Sequence, residues 1–370
     1  MLLASIHAAS APASRAVAGK SETVQTLGAD DASVSLRQVA EARGLQVGAA
    51  AFPEGLREAP YANLLATHFN VLTPENAMKW QPVHPGVNTW HFEPADALVR
   101  FAVEHQLKVH GHTLVWHRQF PDYIQALPGD KLRQALHDHI RTLVGRYKGR
   151  VYAWDVVNEA LDDVAGLRKN LFLEQLGEDY IAEAFRIAHA ADPDALLFYN
   201  DYGCDALGPK SQRQFDLLCR LLAADVPVHG VGLQMHITAS KSPRPCEVAA
   251  NVRRLAELGL RVRISEMDVR VSDLPCAPLQ IQAAVYGGIL RACARESGFL
   301  GITFWGITDK YSWVHKEFAP DQPLLFDAAY EPKPAFAAVR DALLGKEEPS
   351  NAWPSGRGRM RLLRGRILRR

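Results

Sequence analysis

Tyr152-Ala-Trp-Asp-Val-Val-Asn-Glu159 is a short, largely apolar run that closes on a carboxylate. A near-continuous apolar run of this length reads as a parallel strand buried on both faces, where a half-exposed strand would alternate. Arg261-Val-Arg-Ile-Ser-Glu-Met-Asp268 repeats the device and sets a second glutamate, Glu266, where a strand gives way to a loop. Working outward, six more runs read the same way: Leu45–Phe52, Asn70–Glu75, Lys108–Trp116, Leu196–Tyr202, Gly230–His236 and Gly301–Ile307. Between them lie stretches with helical spacing, such as Pro94–Gln106 (Leu98, Phe101, Ala102) and Glu178–Ala191 (Ile181, Ala184, Phe185, Ala188). The last, Pro332–Leu344, is opened by Pro332 and Pro334 and closed by Gly345. Eight strand–helix units in about 310 residues predict an α/β fold, a single (β/α)8 TIM barrel, with its active site at the C-terminal ends of the strands. A doubly wound open sheet would want a glycine-rich phosphate turn after its first strand. Gly48-Ala-Ala-Ala-Phe-Pro53 offers none.

Composition bounds the rest. With 370 residues and 48% apolar content the chain can bury a large core. Lys and Arg number 42 against 41 Asp and Glu, so no global charge draws the protein to nucleic acid or membrane. No apolar run approaches the roughly 20 residues of a spanning helix. The five cysteines, Cys204, Cys219, Cys246, Cys276 and Cys293, show no C-x-x-C spacing, which argues against a zinc site or a disulfide framework. One or two bridges stay open on spacing alone. The barrel is expected at 34–345, between an Ala/Ser-rich tail at 1–33 and an Arg-rich tail at 346–370. No Lys or Arg precedes the apolar part of residues 1–19, so the basic start of a secretory signal is missing and a disordered tail is expected. The Arg-rich end reads as a solvated extension.

Polar and aromatic residues recur at the proposed strand ends. Glu75, Asn76, Lys79 and Trp80 follow the second, and His110, His112, Trp116 and His117 mark the third. Asp155, Asn158 and Glu159 end the fourth, Asn200, Asp201 and Tyr202 the fifth, and Gln234 and His236 the sixth. Glu266 and Asp268 end the seventh, and Trp305, followed by Asp309 and Trp313, the eighth. Such groups are expensive to bury without partners, and the reading gathers them into one polar cleft with an aromatic rim. Two carboxyls at strand ends are the minimum equipment for cleaving a glycosidic bond. Trp80 and Trp90 read as packing, His110 is equally an internal barrel residue with satisfied hydrogen bonds, and Asp201 reads as orienting a loop.

Several blocks carry a family resemblance. They are Trp-Asp-Val-Val-Asn-Glu (154–159), Gly-His-Thr-Leu-Val-Trp-His (111–117), Glu-Asn-Ala-Met-Lys-Trp (75–80) and Phe-Trp-Gly-Ile-Thr-Asp-Lys-Tyr-Ser-Trp (304–313), with Pro-Leu-Leu-Phe-Asp and the following Lys-Pro-Ala (323–335). In this order, from about residue 36 to residue 344, they resemble the glycoside hydrolase family 10 endo-β-1,4-xylanases. The resemblance implies a double displacement with retention, Glu159 as general acid/base and Glu266 as nucleophile. It implies that Asn158 contacts the sugar 2-hydroxyl, that His236 and Asn158 donate to the nucleophile, and that Asp268 orients His236. Asp155 and His112 match a supporting pair. Trp116, Trp305 and Trp313 would wall the cleft, Glu75, Asn76, Lys79 and Gln234 would bond sugar hydroxyls, and Tyr202 would stack on the leaving-group side.

The implied partner is β-1,4-xylan or a xylo-oligosaccharide, met by a monomer, with no nucleic acid, membrane, metal or organic cofactor needed. A polymeric substrate favours a secreted or periplasmic protein, or one handling imported fragments. Rival readings are a retaining barrel glycosidase on short oligosaccharides, cellulose, mannan or aryl glycosides, and a non-catalytic carbohydrate-binding barrel. The second would be favoured had Glu159 or Glu266 been replaced. The chain departs from the family pattern at Gly203-Cys204, at Met235 and at Tyr123, which puts the leaving-group side and chain-length preference in question.

Overall fold

The computed structural model describes residues 34–276 and 278–347. The expectations for 1–33 and for the Arg-rich stretch after 347 lie outside the described residues. Among the described residues nine strands are present: β1 (Gln46–Ala51), β2 (Val71–Pro74), β3 (Lys108–Trp116), β4 (Val151–Asn158), β5 (Leu196–Asp201), β6 (Gly230–Leu233), β7 (His236–Thr238), β8 (Arg261–Arg270) and β9 (Phe299–Phe304). From β1 to β6 each strand pairs in parallel with the next, β6 pairs with β8, β8 with β9, and β9 with β1. The result is a closed eight-stranded parallel barrel with helices between the strands, the fold read from the sequence.

The sixth expected strand differs. Gly230–His236, expected as one run, is interrupted: the ladder breaks after Leu233, and β7 pairs with the upper part of β8, His236 opposite Asp268. The break has a side-chain cause. Met235 sits in the left-handed region (φ +67°), and its N–H donates to the Asp205 carboxylate (3.0 Å) rather than to a neighbouring strand. Methionine carries no turn signal, so nothing in the local sequence announces the kink. The eighth strand begins two residues earlier than expected, at Phe299, and Trp305 stands just beyond its end.

Helices coat the barrel with one apolar face each. Glu93–Glu104 buries Ala95, Leu98, Val99 and Ala102, the i, i+3, i+4, i+7 stripe of an amphipathic helix, while Phe101 stays half-buried at its edge. Tyr180–Ala191 and Pro334–Leu343 follow the same rule close to the expected bounds. Gly111 on β3 is a packing requirement, because a Cβ there would fall 2.2 Å from the Trp154 ring. All five cysteine thiols are unpaired.

Candidate active site

The C-terminal strand ends open into a cleft of about 770 Å³. Glu159 follows β4 in a left-handed conformation (φ +57°), which costs an L-residue on the order of 1–3 kcal/mol and must be held by its surroundings. Its N–H donates to the Asn200 carbonyl (2.8 Å). One carboxylate oxygen accepts from Trp116 Nε1 (2.9 Å) and the other from Gln234 Nε2 (3.0 Å). Both donors are neutral; Trp116 ends the adjacent β3, and Gln234 follows β6, two strands away.

Glu266 has different company. Its Oε1 accepts from Asn200 Nδ2 (2.6 Å), and its Oε2 lies 3.1 Å from His236 Nε2. His112 Nδ1 is 4.0 Å from Oε1. Burial alone would raise the Glu266 pKa, but the charges of His112 and His236 and the His236 hydrogen bond outweigh it and hold the carboxyl below its ordinary value. His236 is itself clamped, with Nδ1 2.8 Å from Asp268 Oδ2, the oxygen that also accepts from Trp313 Nε1 (2.7 Å). Burial opposes a charge on the ring, yet Asp268 and Glu266 prevail and push its pKa up to about 10.

That shift makes stability depend on pH. The folded ring keeps its proton up to about pH 10, whereas an unfolded histidine releases it near 6.5. The stabilisation is fully present below about pH 6.5 and is lost as pH rises towards 10. The wild-type melting temperature is therefore expected to fall more steeply across this window than that of His236→Gln. Parallel curves would mean that the folded ring is neutral.

The two carboxylates are joined by one chain of amides. Gln234 Nε2 donates to Glu159 and also to Asn158 Oδ1 (3.1 Å). Asn200 Nδ2 donates to the same Asn158 oxygen (2.9 Å) and to Glu266, while its own oxygen accepts from Ser265 Oγ (2.6 Å). This corrects one expectation. Asn158 does not reach Glu266; its amide lies against Asn200 and Gln234, and Asn200 supplies the bond to Glu266. The register explains the exchange, because Asn158 pairs with Asn200 and Asn200 with Gly232. A Cβ on Gly232 would fall 2.1 Å from Asn200 Oδ1, so the glycine leaves the amide its room. Gln234, expected on sugar hydroxyls, spends its amide N–H groups on this chain.

The supporting pair lies where expected. His112 Nδ1 is 2.9 Å from Asp155 Oδ2, and His110 Nε2 is 2.8 Å from Oδ1. Burial would raise the Asp155 pKa, but the two histidines hold the carboxyl well below the usual range. Both ring nitrogens of His110 are engaged inside the barrel, Nε2 with Asp155 and Nδ1 with Arg263. On the cleft wall Lys79 Nζ donates to Asn76 Oδ1 (2.9 Å) and lies 4.8 Å from the Trp116 ring centre and 5.9 Å from that of Trp305. Burial lowers the Lys79 pKa against the pull of Glu266, Glu75 and Glu159, and burial raises that of Glu75 against the pull of Lys79 and Lys316. Trp305 meets His112 edge-on at 5.1 Å, and Trp313 meets His236 at 4.9 Å.

All thirteen expected carboxylates and sugar-contacting residues line this cleft, with Asp155 and Asp268 buried behind them. Tyr202 is partly occupied: its hydroxyl donates to Asp163 (2.8 Å) and accepts from Arg168 (2.7 Å), and the Lys210 ammonium sits 3.6 Å from the ring centre. Asp201 is fully buried, pairs with Lys210 (3.1 Å) and accepts from Leu161 N (3.3 Å), so it shapes the loop after β4. Trp80 stacks on His139 at 4.1 Å and Trp90 on His84 at 3.8 Å, both as packing. The sequence reading left Asn200 and Arg168 out of the site. Asn200 was visible at a strand end but without a role. Arg168, which donates to the Glu159 carbonyl (3.2 Å), comes from a loop that carries no signal.

Comparison with known proteins places the chain in a family. The family model described as glycosyl hydrolase family 10 matches residues 35–342. A "Beta-1,4-xylanase" of Dictyoglomus thermophilum is 42% identical over 295 residues, covering 75% of this chain and 82% of that protein. The "Endo-1,4-beta-xylanase B" of Thermotoga neapolitana is 38% identical over 334 residues, covering 86% of this chain and 94% of its own length. The crystal structure of xylanase 10B from Thermotoga petrophila in complex with xylobiose superposes with a TM-score of 0.81 at 40% identity, over 84% of this chain and 97% of that one.

Proposed function

Because the chain belongs to glycosyl hydrolase family 10, we propose that it is a retaining endo-1,4-β-xylanase, with residues 34–345 as its catalytic unit. The observation that carries the reading is the contrast between two carboxyls facing one cleft. Glu266 is surrounded by Asn200, His236 and His112, which favour its ionised form, while Glu159 is held by the neutral donors Trp116 and Gln234. A nucleophile must be ionised, which the surroundings of Glu266 favour, and Glu159, facing the same cleft, is the remaining carboxyl for the acid/base role.

In the first step Glu266 attacks the anomeric carbon and Glu159 passes its proton to the departing glycosidic oxygen. In the second, Glu159, now a carboxylate, takes a proton from water as the water oxygen displaces Glu266, restoring both groups and the original anomeric configuration. Trp116, Trp305 and Trp313 offer aromatic faces and edges to the sugar rings, and Asn76, Lys79 and Glu75 offer directed bonds to hydroxyls. The names of the relatives, and the xylobiose in the solved structure, favour xylan over other β-1,4-glycans.

Sugar release from unsubstituted β-1,4-xylan, with cellulose and mannan in parallel, tests the substrate. Mixed xylo-oligosaccharides from xylan alone are expected. Cleavage confined to cellulose or mannan would keep the chemistry and refute the substrate, and inertness on all three would turn the reading towards short oligosaccharides or sugar binding.

A further inference from the structure

Arg263 lies on β8 three residues before Glu266, inside the barrel, at 2% exposure. A buried guanidinium is costly unless its charge is matched. Yet among the described residues it touches no carboxylate: Nη1 donates to His110 Nδ1 and to Tyr152 OH (3.3 Å), Nη2 donates to Thr303 Oγ1, and Nε is buried without a partner. The proposed reaction uses neither Arg263 nor His110, and neither lines the cleft.

The directions of the hydrogen bonds say what the cation does. Guanidinium donates and never accepts, so His110 Nδ1 must be the acceptor and the ring proton must sit on Nε2. Nε2 faces Asp155 Oδ1 at 2.8 Å and therefore donates to it. The other Asp155 oxygen is then the acceptor for Nδ1–H of His112 (2.9 Å), whose ring stands beside Glu266. We propose that Arg263 is a positioning residue for Glu266, acting through His110, Asp155 and His112. It fixes the His110 tautomer, His110 locks the Asp155 carboxylate, and Asp155 locks the His112 ring.

The charges of the barrel interior fit this account. Glu266 and Asp268 share the His236 imidazolium. Among the described residues the Asp155 carboxylate bonds only to the two histidines, and the fixed cation behind them is Arg263. The groups facing His110 are Arg263 from β8, Asp155 and Tyr152 from β4, His112 from its own strand and the Phe198 ring from β5. Burial first, then Arg263, keeps the ring neutral, with its pKa down at about 4. Without Arg263, His110 is free to take a second proton or to move its proton to Nδ1. The latter turns a lone pair towards the Asp155 carboxylate and releases it.

The inference rests on Glu266 as nucleophile, and Glu266→Ala in the same assay keeps the two questions apart: activity surviving there refutes that reading, whereas the His110 ring reports on Arg263 by itself. Nitrogen-15 spectra of the labelled enzyme, with His110 assigned by its loss in His110→Gln, are expected to show a neutral Nε2–H ring from about pH 5 to about pH 8. In Arg263→Met that signal should titrate or become a tautomer mixture. Turnover on xylan should fall about tenfold with KM within about twofold, since Arg263 does not reach the cleft. Thr303→Val, which removes only the Nη2 acceptor, should affect melting and leave the His110 signal as it was. An unchanged His110 signal, or full kcat in folded Arg263→Met, overturns the proposal. Should Arg263→Met not fold, His110→Gln breaks the same chain one step nearer, and full kcat there overturns it equally.

Discussion

Glu266→Ala is expected to lower turnover on xylan by about 10⁴-fold or more while xylo-oligosaccharides still bind within about tenfold of the wild-type affinity. The asymmetry follows from where the carboxylate stands. Proposed sugar contacts come largely from Glu75, Asn76, Lys79 and the tryptophans, which the substitution leaves in place. What disappears is the group that would bond to the anomeric carbon, together with the acceptor for Asn200 Nδ2 and His236 Nε2. Those two donors then point into a vacated volume beside the sugar, a ready place for a small anion. Formate or azide should therefore restore part of the turnover on an aryl xylobioside, with product of inverted configuration, because only one displacement remains. Losing one of its two carboxylates should also bring the His236 pKa down from about 10. Activity of Glu266→Ala within tenfold of wild type, on either substrate, would remove Glu266 from the mechanism.

The polar interior explains why such a substitution need not unfold the barrel. Asp155, Glu266, Asp268, His110, His112, His236 and Arg263 are partnered by one another rather than by the outer helices. Truncating one member costs stability through the donors it orphans, on the order of 1–3 kcal/mol for each buried group. At Glu266 the orphaned donors border the cleft, where water can satisfy them. At Arg263 the partners His110 and Thr303 are buried, so the consequence there is a changed proton position on His110.

The barrel was legible because a parallel strand covered on both faces leaves a mark that survives without alignment: an apolar run, ended by polar residues, with a helical stripe to follow. Val151–Asn158 and Arg261–Arg270 sit where the runs placed them, and the residues at their ends do meet in one cleft. What sequence order could not supply is lateral. Which amide donates to Glu266 depends on Asn158 lying opposite Asn200, and on Gly232 clearing space for that amide, facts of register between strands far apart in the chain. The kink at Met235 is lateral too, since the acceptor that replaces its ladder partner is Asp205. Arg263 was hidden for a simpler reason: inside an apolar run an arginine reads as a surface residue of a strand edge, and only barrel closure makes its position internal.

Glu159→Ala tests the other half of the mechanism, and here the expected loss depends on the leaving group. On xylan the departing oxygen needs a proton, so turnover should fall by about 10²–10⁴-fold. An aryl xylobioside with a strongly acidic phenol leaves without help, and its first step should stay within about tenfold of wild type. The second step still lacks its base, because the water that attacks the glycosyl–enzyme must give its proton to the same residue. Glycosyl–enzyme should therefore accumulate, visible as a burst of phenol followed by a slow steady rate, with the adduct located on Glu266 by mass spectrometry. Trp116 and Gln234 hold Glu159 from two strand ends and remain after the truncation, so the cleft should keep its shape and KM for the aryl substrate should fall as the intermediate builds up. Equal losses on the two substrates, with no burst, would show that Glu159 moves no proton to the leaving oxygen, and its left-handed backbone would then need another explanation.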